Sequence, residues 1–155
     1  MDKASYERLY GEMLPGLYRL AQSILRHSAD AQDAVQQAAL KAWQRAESIQ
    51  EDSAKAYFAR AVINECRSIQ RQRMRVTAFA EIPNVQSQDG NGELRRVINA
   101  MPEQLRLPLL LKYMEGYTEK EAAAALHITV PALKARLYRA RRWLEKELRE
   151  EVELL

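Results

Sequence analysis

Between Tyr117 and Leu148 the chain reads as two helices separated by three residues, and this stretch restricts the fold more than any other. Gly116 suits the left-handed conformation that closes a preceding helix, and Thr118 followed by Glu121 has the spacing of a capping box that opens the next. These signals predict a short helix from about Thr118 to Leu126. His127, Ile128 and Thr129 interrupt it. Thr129 is suited to cap a second helix, and Pro131 falls in its first turn, where a missing N–H costs little.

At about 100° per residue, Leu133, Leu137, Ala140, Leu144 and Leu148 share one side of the second helix and need a packing partner. Pro131, Lys134, Ala135, Tyr138, Arg139 and Arg142 take the opposite side, and Arg136 lies nearer the apolar edge. From Val130 to Leu144 there are five cations and no acid. A solvated basic helix would carry the same charges. The cap, the turn and the phasing of the pair together favour a helix-turn-helix whose second member enters a DNA groove, where cations neutralise phosphates and arginines reach guanine edges.

Length and composition bound the rest. A chain of 155 residues, 47% hydrophobic and 29% charged, is a globular composition long enough for two small helical domains. Five Gly and five Pro leave room for long helices. The net charge of +3 hides an uneven distribution, since Glu145 to Leu155 holds five acids against two bases. Cys66 is the only cysteine, which excludes an intrachain disulfide and fits a reducing compartment. No signal-peptide pattern and no bilayer-length apolar run occurs, so a cytoplasmic protein without membrane insertion is expected. His27 and His127 stand apart from other ligand-type residues and read as turn or surface positions. With no glycine-rich phosphate loop and no grouping of nucleophile, base and orienting acid, neither a metal, a cofactor nor an enzymatic activity is expected.

Earlier in the chain, helical spacing of Leu9, Met13, Leu17, Leu20, Ile24 and Leu25 predicts a helix from about Ser5 to Arg26, with a kink at Pro15. Ser28 and Asp30 are candidate caps for a helix from about Ala31 to Ala46, in which Ala31, Val35, Ala38, Ala39, Ala42 and Trp43 recur at steps of three and four. Trp43 reads as a core residue, and Asp33, Gln36, Gln37 and Lys41 mark a polar side open to another macromolecule. A polar break follows from Glu47 to Asp52. Ser53 is the expected cap of a third helix that runs to about Arg73, with Phe58, Val62, Cys66 and Ile69 on its apolar face. Opposite them stand Arg60, Asn64, Arg67 and Arg71, and between Lys55 and Arg75 there are six cations and one acid, Glu65. This is a second face suited to nucleic acid, although helix solubility would explain the same charges.

From Val76 to Gly92 apolar periodicity lapses among Pro83, Gly90, Gly92 and polar residues, the pattern of a flexible linker. Two further helices are expected from Glu93 to Met101 and Glu103 to Met114, separated by Pro102, with Leu94, Val97, Ile98, Leu105, Leu109 and Leu110 supplying a core for the helix-turn-helix. The expected architecture is all-α: residues 1–75 as one domain, 76–92 as linker and 93–155 as the second domain.

The stretch Leu107 to Leu148 resembles the promoter-binding C-terminal domain of bacterial sigma factors of the sigma-seventy family, in particular the extracytoplasmic-function group. Leu111, Tyr113, Gly116, Tyr117, Glu121 to Ala123, Leu126, Leu133 to Leu137 and Arg139 to Arg141 carry the likeness, in part shared with response-regulator output domains. A second likeness decides between them. Asp30 to Ala38 with Leu40 to Trp43 is similar to the sigma segment that docks on core RNA polymerase, and Tyr57 to Arg67 to the segment that melts and reads the minus-ten element. The sequence departs from the family at Gln32 and Ala34, where Glu and Leu are common, at Tyr57-Phe58 in place of Trp-Leu, and at Pro131-Ala132 in place of Gly-Thr. The N-terminus is also short relative to many members, so a clipped first helix is expected.

The resemblance implies a dissociable specificity subunit of bacterial RNA polymerase, with core polymerase and promoter DNA as partners and an anti-sigma factor as regulator. It implies polymerase binding by Asp30, Asp33, Gln36, Gln37 and Lys41 and minus-ten binding by Arg60, Asn64, Arg67 and Arg71. Minus-thirty-five binding falls to Pro131, Lys134, Ala135, Arg136, Tyr138, Arg139 and Arg142. The alternatives are a two-domain helix-turn-helix regulator acting without polymerase, and a sigma-like protein that only sequesters partners. The expected linker gives a direct test: limited proteolysis should cut first between Val76 and Gly92 and release two surviving helical fragments, whereas early cleavage within residues 31–46 would contradict the division.

Overall fold

A computed structural model of the chain describes residues 1–76 and 92–153, and the regular structure of these residues is helical throughout. The order is α1 (Lys3–Leu25), α2 (Ser28–Gln44), two 3-10 turns (Ala46–Ser48 and Glu51–Ser53), α3 (Ala54–Val76), α4 (Gly92–Ala100), α5 (Glu103–Leu109), a π turn (Leu110–Met114), α6 (Glu119–Leu126) and α7 (Val130–Glu153). Contacts divide the chain into two compact units, one built on α1 to α3 and the other on α4 to α7. Apart from its two end residues, the segment 76–92 read as a linker lies outside the described residues.

In the first unit α1, α2 and α3 each pack against the other two. Phe58 of α3 is fully buried and lies edge-on to Tyr6 and Tyr10 of α1, at ring-centroid distances of 5.6 and 5.1 Å. Aromatic pairs at such distances add to the gain from burying their area. The two phenols then serve α2. Tyr6 Oη donates to the Ala39 carbonyl (2.5 Å) and Tyr10 Oη to the Val35 carbonyl (2.6 Å). Both pairs are four residues apart, so two successive turns of α1 are bonded to two successive turns of α2. Burial pushes both phenols up from their ordinary range, and they stay neutral donors. Ala31, Ala34, Ala38 and Ala42 are buried, and their small side chains let α2 come close.

Several local expectations need correction. Helix α1 begins two residues early because the Asp2 carboxylate accepts from the Ser5 N–H (2.7 Å), and the hydrogen bond pulls that carboxyl below its ordinary range. It continues as one helix through Pro15 and ends at Arg26, which takes a left-handed conformation (φ 55°). His27 caps α2 in place of Ser28 or Asp30, its Nδ1 accepting from the Asp30 N–H at 3.3 Å. A side chain with a ring acceptor can do what the short hydroxyl and carboxylate were expected to do. The polar break is folded: its two 3-10 turns flank a buried Ile49, and Ala46, which opens the first turn, is buried too. The Ser53 hydroxyl donates back to the Gln50 carbonyl (3.4 Å). Trp43 is half-buried at the edge of the core, meeting Tyr6 edge-on at 5.3 Å and carrying Lys3 Nζ 4.7 Å from its ring centroid.

In the second unit α4 and α5 pack on α7. Met101, Leu109 and Ala140 are buried together, with Ile98, Leu105, Trp143 and Leu144 packed around them. Leu94, expected in this core, is instead 52% exposed. The single helix expected from Glu103 to Met114 changes character after Leu109: Glu115 N–H reaches back to the Leu110 carbonyl (2.9 Å) and Tyr117 N–H to the Leu111 carbonyl (2.9 Å). Gly116, at φ 72°, makes that wider turn possible without a Cβ penalty. Tyr117 is buried beyond it.

Phe58 is the residue on which the first unit closes. Each unit holds one of the two tryptophans, so Trp143→Phe leaves Trp43 as a reporter for α1 to α3. In that background Phe58→Ala is expected to lower stability by about 3–5 kcal/mol in urea unfolding followed by Trp43 fluorescence, and a loss under about 1 kcal/mol would contradict this role.

Candidate nucleic-acid interface

The turn that delivers α7 is assembled from three side-chain caps. Thr118 Oγ1 accepts from the Glu121 N–H (3.0 Å) while the Glu121 carboxylate accepts from the Thr118 N–H (2.9 Å), a reciprocal box at the start of α6. His127 takes a left-handed conformation (φ 60°) and lets Ile128 N–H return to the Ala123 carbonyl (3.0 Å). Thr129 Oγ1 then accepts from the Ala132 N–H at 3.2 Å and opens α7. Each bond satisfies a donor or acceptor that a helix end would otherwise leave open.

On α7, Leu133, Leu137 and Ala140 are buried and Leu144 and Leu148 half-buried. Pro131, Lys134, Ala135, Tyr138, Arg139 and Arg142 are exposed, and Arg136 is half-buried at the edge. Tyr138, at 62% exposure, presents a large ring to solvent beside the basic residues. This helix therefore presents the side that its spacing predicted.

On α3, Asn64 and Arg71 are exposed while Arg60 and Arg67 are half-buried, with Arg67 Nη1 donating to Gln70 Oε1 (3.2 Å). Phe58, Val62 and Cys66 are buried on the opposite side, and Ile69 is half-buried. On α2, Asp33, Gln36 and Gln37 are exposed together, and Leu40 adds an apolar side chain to that face at 57% exposure.

Two of the residues expected to bind polymerase have partners inside the fold. Asp30 is half-buried and paired with Arg73, which also donates to the Leu25 carbonyl (3.2 Å). Lys41 is exposed but sits 2.5 Å from the carboxylate of Glu65, the one acid on α3 between Lys55 and Arg75, which is nearly buried. These pairs tie α2 to α3 at both ends. Sequence spacing holds no trace of them, because the partners lie 43 and 24 positions apart and meet only when α3 folds back on α2. In the second unit, Glu119 gathers Lys112 (2.7 Å) and the recognition-side Lys134 (3.7 Å), again across elements.

None of the described helices is long and apolar enough to cross a membrane. Among the described residues, no group of three or more His, Cys, Asp or Glu side chains could hold a metal ion.

The chain thus comprises two small helical units, one carrying a capped helix-turn-helix with an exposed basic side on α7 and the other a polar side on α2 and a basic side on α3. The family descriptions Sigma-70 region 2 and Sigma-70, region 4 match residues 9–76 and 91–144. The ECF RNA polymerase sigma factor SigM of Mycobacterium tuberculosis is 29% identical over 154 residues, covering 95% of this chain and 79% of that protein. The ECF RNA polymerase sigma-E factor of Escherichia coli is 26% identical, covering 84% of this chain and 81% of its own length. Among solved structures, the sigma factor RpoE of Bartonella quintana, in complex with the anti-sigma factor NepR, aligns with a TM-score of 0.72 at 25% identity, over 92% of this chain and 98% of that one. CnrH, in complex with the cytosolic domain of CnrY, shares the fold with a TM-score of 0.70 at 21% identity, over 96% and 90% of the two chains. The chain belongs to the sigma-70 family of RNA polymerase sigma factors, in its extracytoplasmic-function group, and directs transcription initiation. A match to region 2 as well as region 4 disfavours a regulator that works without polymerase.

The ion pairs separate two neighbouring arginines of α3. Arg73→Ala removes a charge-assisted bond and leaves Asp30 without this partner, so a loss of about 1.5–3 kcal/mol is expected. Arg71→Ala should stay within about 0.5 kcal/mol. Urea unfolding of the two variants, read by Trp43 as above, checks the difference.

Proposed function

We propose that residues 1–75 hold core RNA polymerase and capture the melted minus-ten strand, and that residues 93–155 place α7 in the major groove of the minus-thirty-five element. The observation that carries this reading is the exposure, on three separate helices, of three sets of polar side chains opposite buried apolar faces. The set on α2 is Asp33, Gln36 and Gln37, with Lys41 beside it and Asp30 set back in its pair with Arg73. On α3, Asn64 carries an amide that can hydrogen-bond the edge of a flipped base, flanked by Arg60, Arg67 and Arg71 for the phosphates. On α7, Arg139 and Arg142 stand where they can reach base edges, with Pro131, Lys134, Ala135 and Tyr138 on the same exposed side. Arg136, at the half-buried edge, fits a phosphate contact.

On this reading the protein acts in the cytoplasm and does no bond chemistry of its own, because its mechanism is the differential binding of closed and melted DNA by a polymerase-bound subunit. The complex of RpoE with the anti-sigma factor NepR supports an anti-sigma partner for this chain too.

A comparison of holoenzymes on duplex, forked and pre-melted promoter templates at two salt concentrations tests the division. Arg139→Ala should weaken duplex binding by ~1–3 kcal/mol and lose selectivity at one base pair, while Arg136→Ala should weaken all sequences alike and lower the salt slope by about one. Asn64→Ala should leave duplex affinity nearly unchanged yet impair opening, with partial rescue on the pre-melted template. Identical profiles for Asn64→Ala and Arg139→Ala would overturn the assignment of the two helices.

A further inference from the structure

At the start of the recognition helix, Lys112 and Lys134 converge on one carboxylate, that of Glu119. Lys112 Nζ lies 2.7 Å from Glu119 Oε1, and Lys134 Nζ lies 3.7 Å from Glu119 Oε2. The two contacts differ in kind. Lys112 is half-buried, hydrogen-bonded to Glu119 and 5.5 Å from the ring centroid of Tyr113, so it is confined on two sides. Lys134 is 65% exposed and beyond hydrogen-bond distance, and can leave Glu119 without breaking a direct bond. The hydrogen bond from Lys112, with the charges of Lys112 and Lys134, holds the Glu119 carboxyl below its ordinary range, so it is ionised at neutral pH.

Resting on the reading of α7 as the helix that meets duplex DNA, we propose that Glu119 is a positioning residue of that surface. Its carboxylate cancels one of two lysine charges beside the groove-facing end of α7 and thereby limits sequence-independent attraction to phosphate. Two cations and one anion leave the trio with a net charge of +1. In the free protein Glu119 holds Lys134 near the end of α6. On duplex DNA, Lys134 exchanges this loose contact for a phosphate oxygen while Lys112 keeps Glu119 neutralised. A duplex of any sequence gains from Lys134, but it gains less than it would from two uncompensated lysines, so more of the binding must come from Arg139 and Arg142 reading bases. Glu119 therefore favours discrimination at the expense of affinity.

The full-length chain, a short fluorescent duplex of arbitrary sequence and anisotropy titrations over a range of salt concentrations test this. Glu119→Gln, nearly isosteric, is expected to bind several-fold more tightly at low salt, with a salt slope steeper by about one. Adding Lys112→Ala, which removes the charge that Glu119 neutralises, should remove most of that gain. A merely structural Glu119 would give weaker binding and a lower melting temperature instead, and Glu119→Ala serves as the second variant if the amide disturbs the start of α6. An unchanged or shallower slope in Glu119→Gln would overturn the inference, as would a gain that persists undiminished with Lys112→Ala. If Lys134→Ala with Arg139→Ala leaves wild-type binding unaltered, the reading of α7 itself fails and this inference with it. Binding that depends on Lys134 but not on Glu119 overturns the inference alone.

Discussion

The first unit depends on the bond between each buried tyrosine of α1 and a carbonyl of α2. A helix carbonyl already accepts one bond within its own helix, and Tyr6 and Tyr10 use the second lone pair of Ala39 and Val35, the first bond partly buried and the second fully so. Buried hydroxyls without partners would cost free energy, so the only favourable rotation of α2 is the one that points these two carbonyls at α1. That rotation sends Asp33, Gln36 and Gln37 outward. The exposure of the α2 face is thus a consequence of how its opposite side is bonded.

The same restriction passes from α2 to α3 through charge. Lys41 with Glu65 and Asp30 with Arg73 fix the two helices at separate points, and each pair leaves some of its partners partly exposed. Pairs at such depth gain less from attraction than a short distance suggests, because solvent screens them and ordering the side chains costs entropy. Their effect on orientation is nevertheless definite, since a slip of either helix would separate both pairs. Cations with internal partners, such as Lys41 and Arg73, contribute less to a surface than exposed ones such as Arg71.

In the second unit, backbone geometry sets the turn that delivers α7. Gly116 and His127 both adopt left-handed conformations, one before α6 and one after it, and the Thr118, Glu121 and Thr129 caps close the helix ends between them. With both ends of α6 set, α7 leaves the turn in one direction, and burial of Leu133, Leu137 and Ala140 fixes its rotation. Glu119 lies at the beginning of this assembly, which is why one carboxylate can reach both Lys112 before it and Lys134 after it.

Interactions local in sequence were legible without a structure. The capping box, the Gly116 turn, the Thr129 cap and the apolar stripe of α7 all act within about two helical turns, where spacing alone decides which groups can meet. For the same reason the exposed residues of α7 and the Asn64 side of α3 were placed correctly. The order of the two family segments was legible too. Competition between neighbouring caps was not: His27 replaced Ser28 and Asp30 because its ring nitrogen reaches the Asp30 N–H while the Asp30 carboxylate is drawn to Arg73. Leu94 and Trp43 were misplaced because periodicity marks a stripe but not its depth. Only the tertiary structure decided which charges are committed to the fold, since Asp30, Lys41 and Lys112 each meet a partner on another element that chain separation does not reveal. Sequence pattern determines the faces of single helices through short-range geometry, whereas pairing between helices depends on how those faces dock.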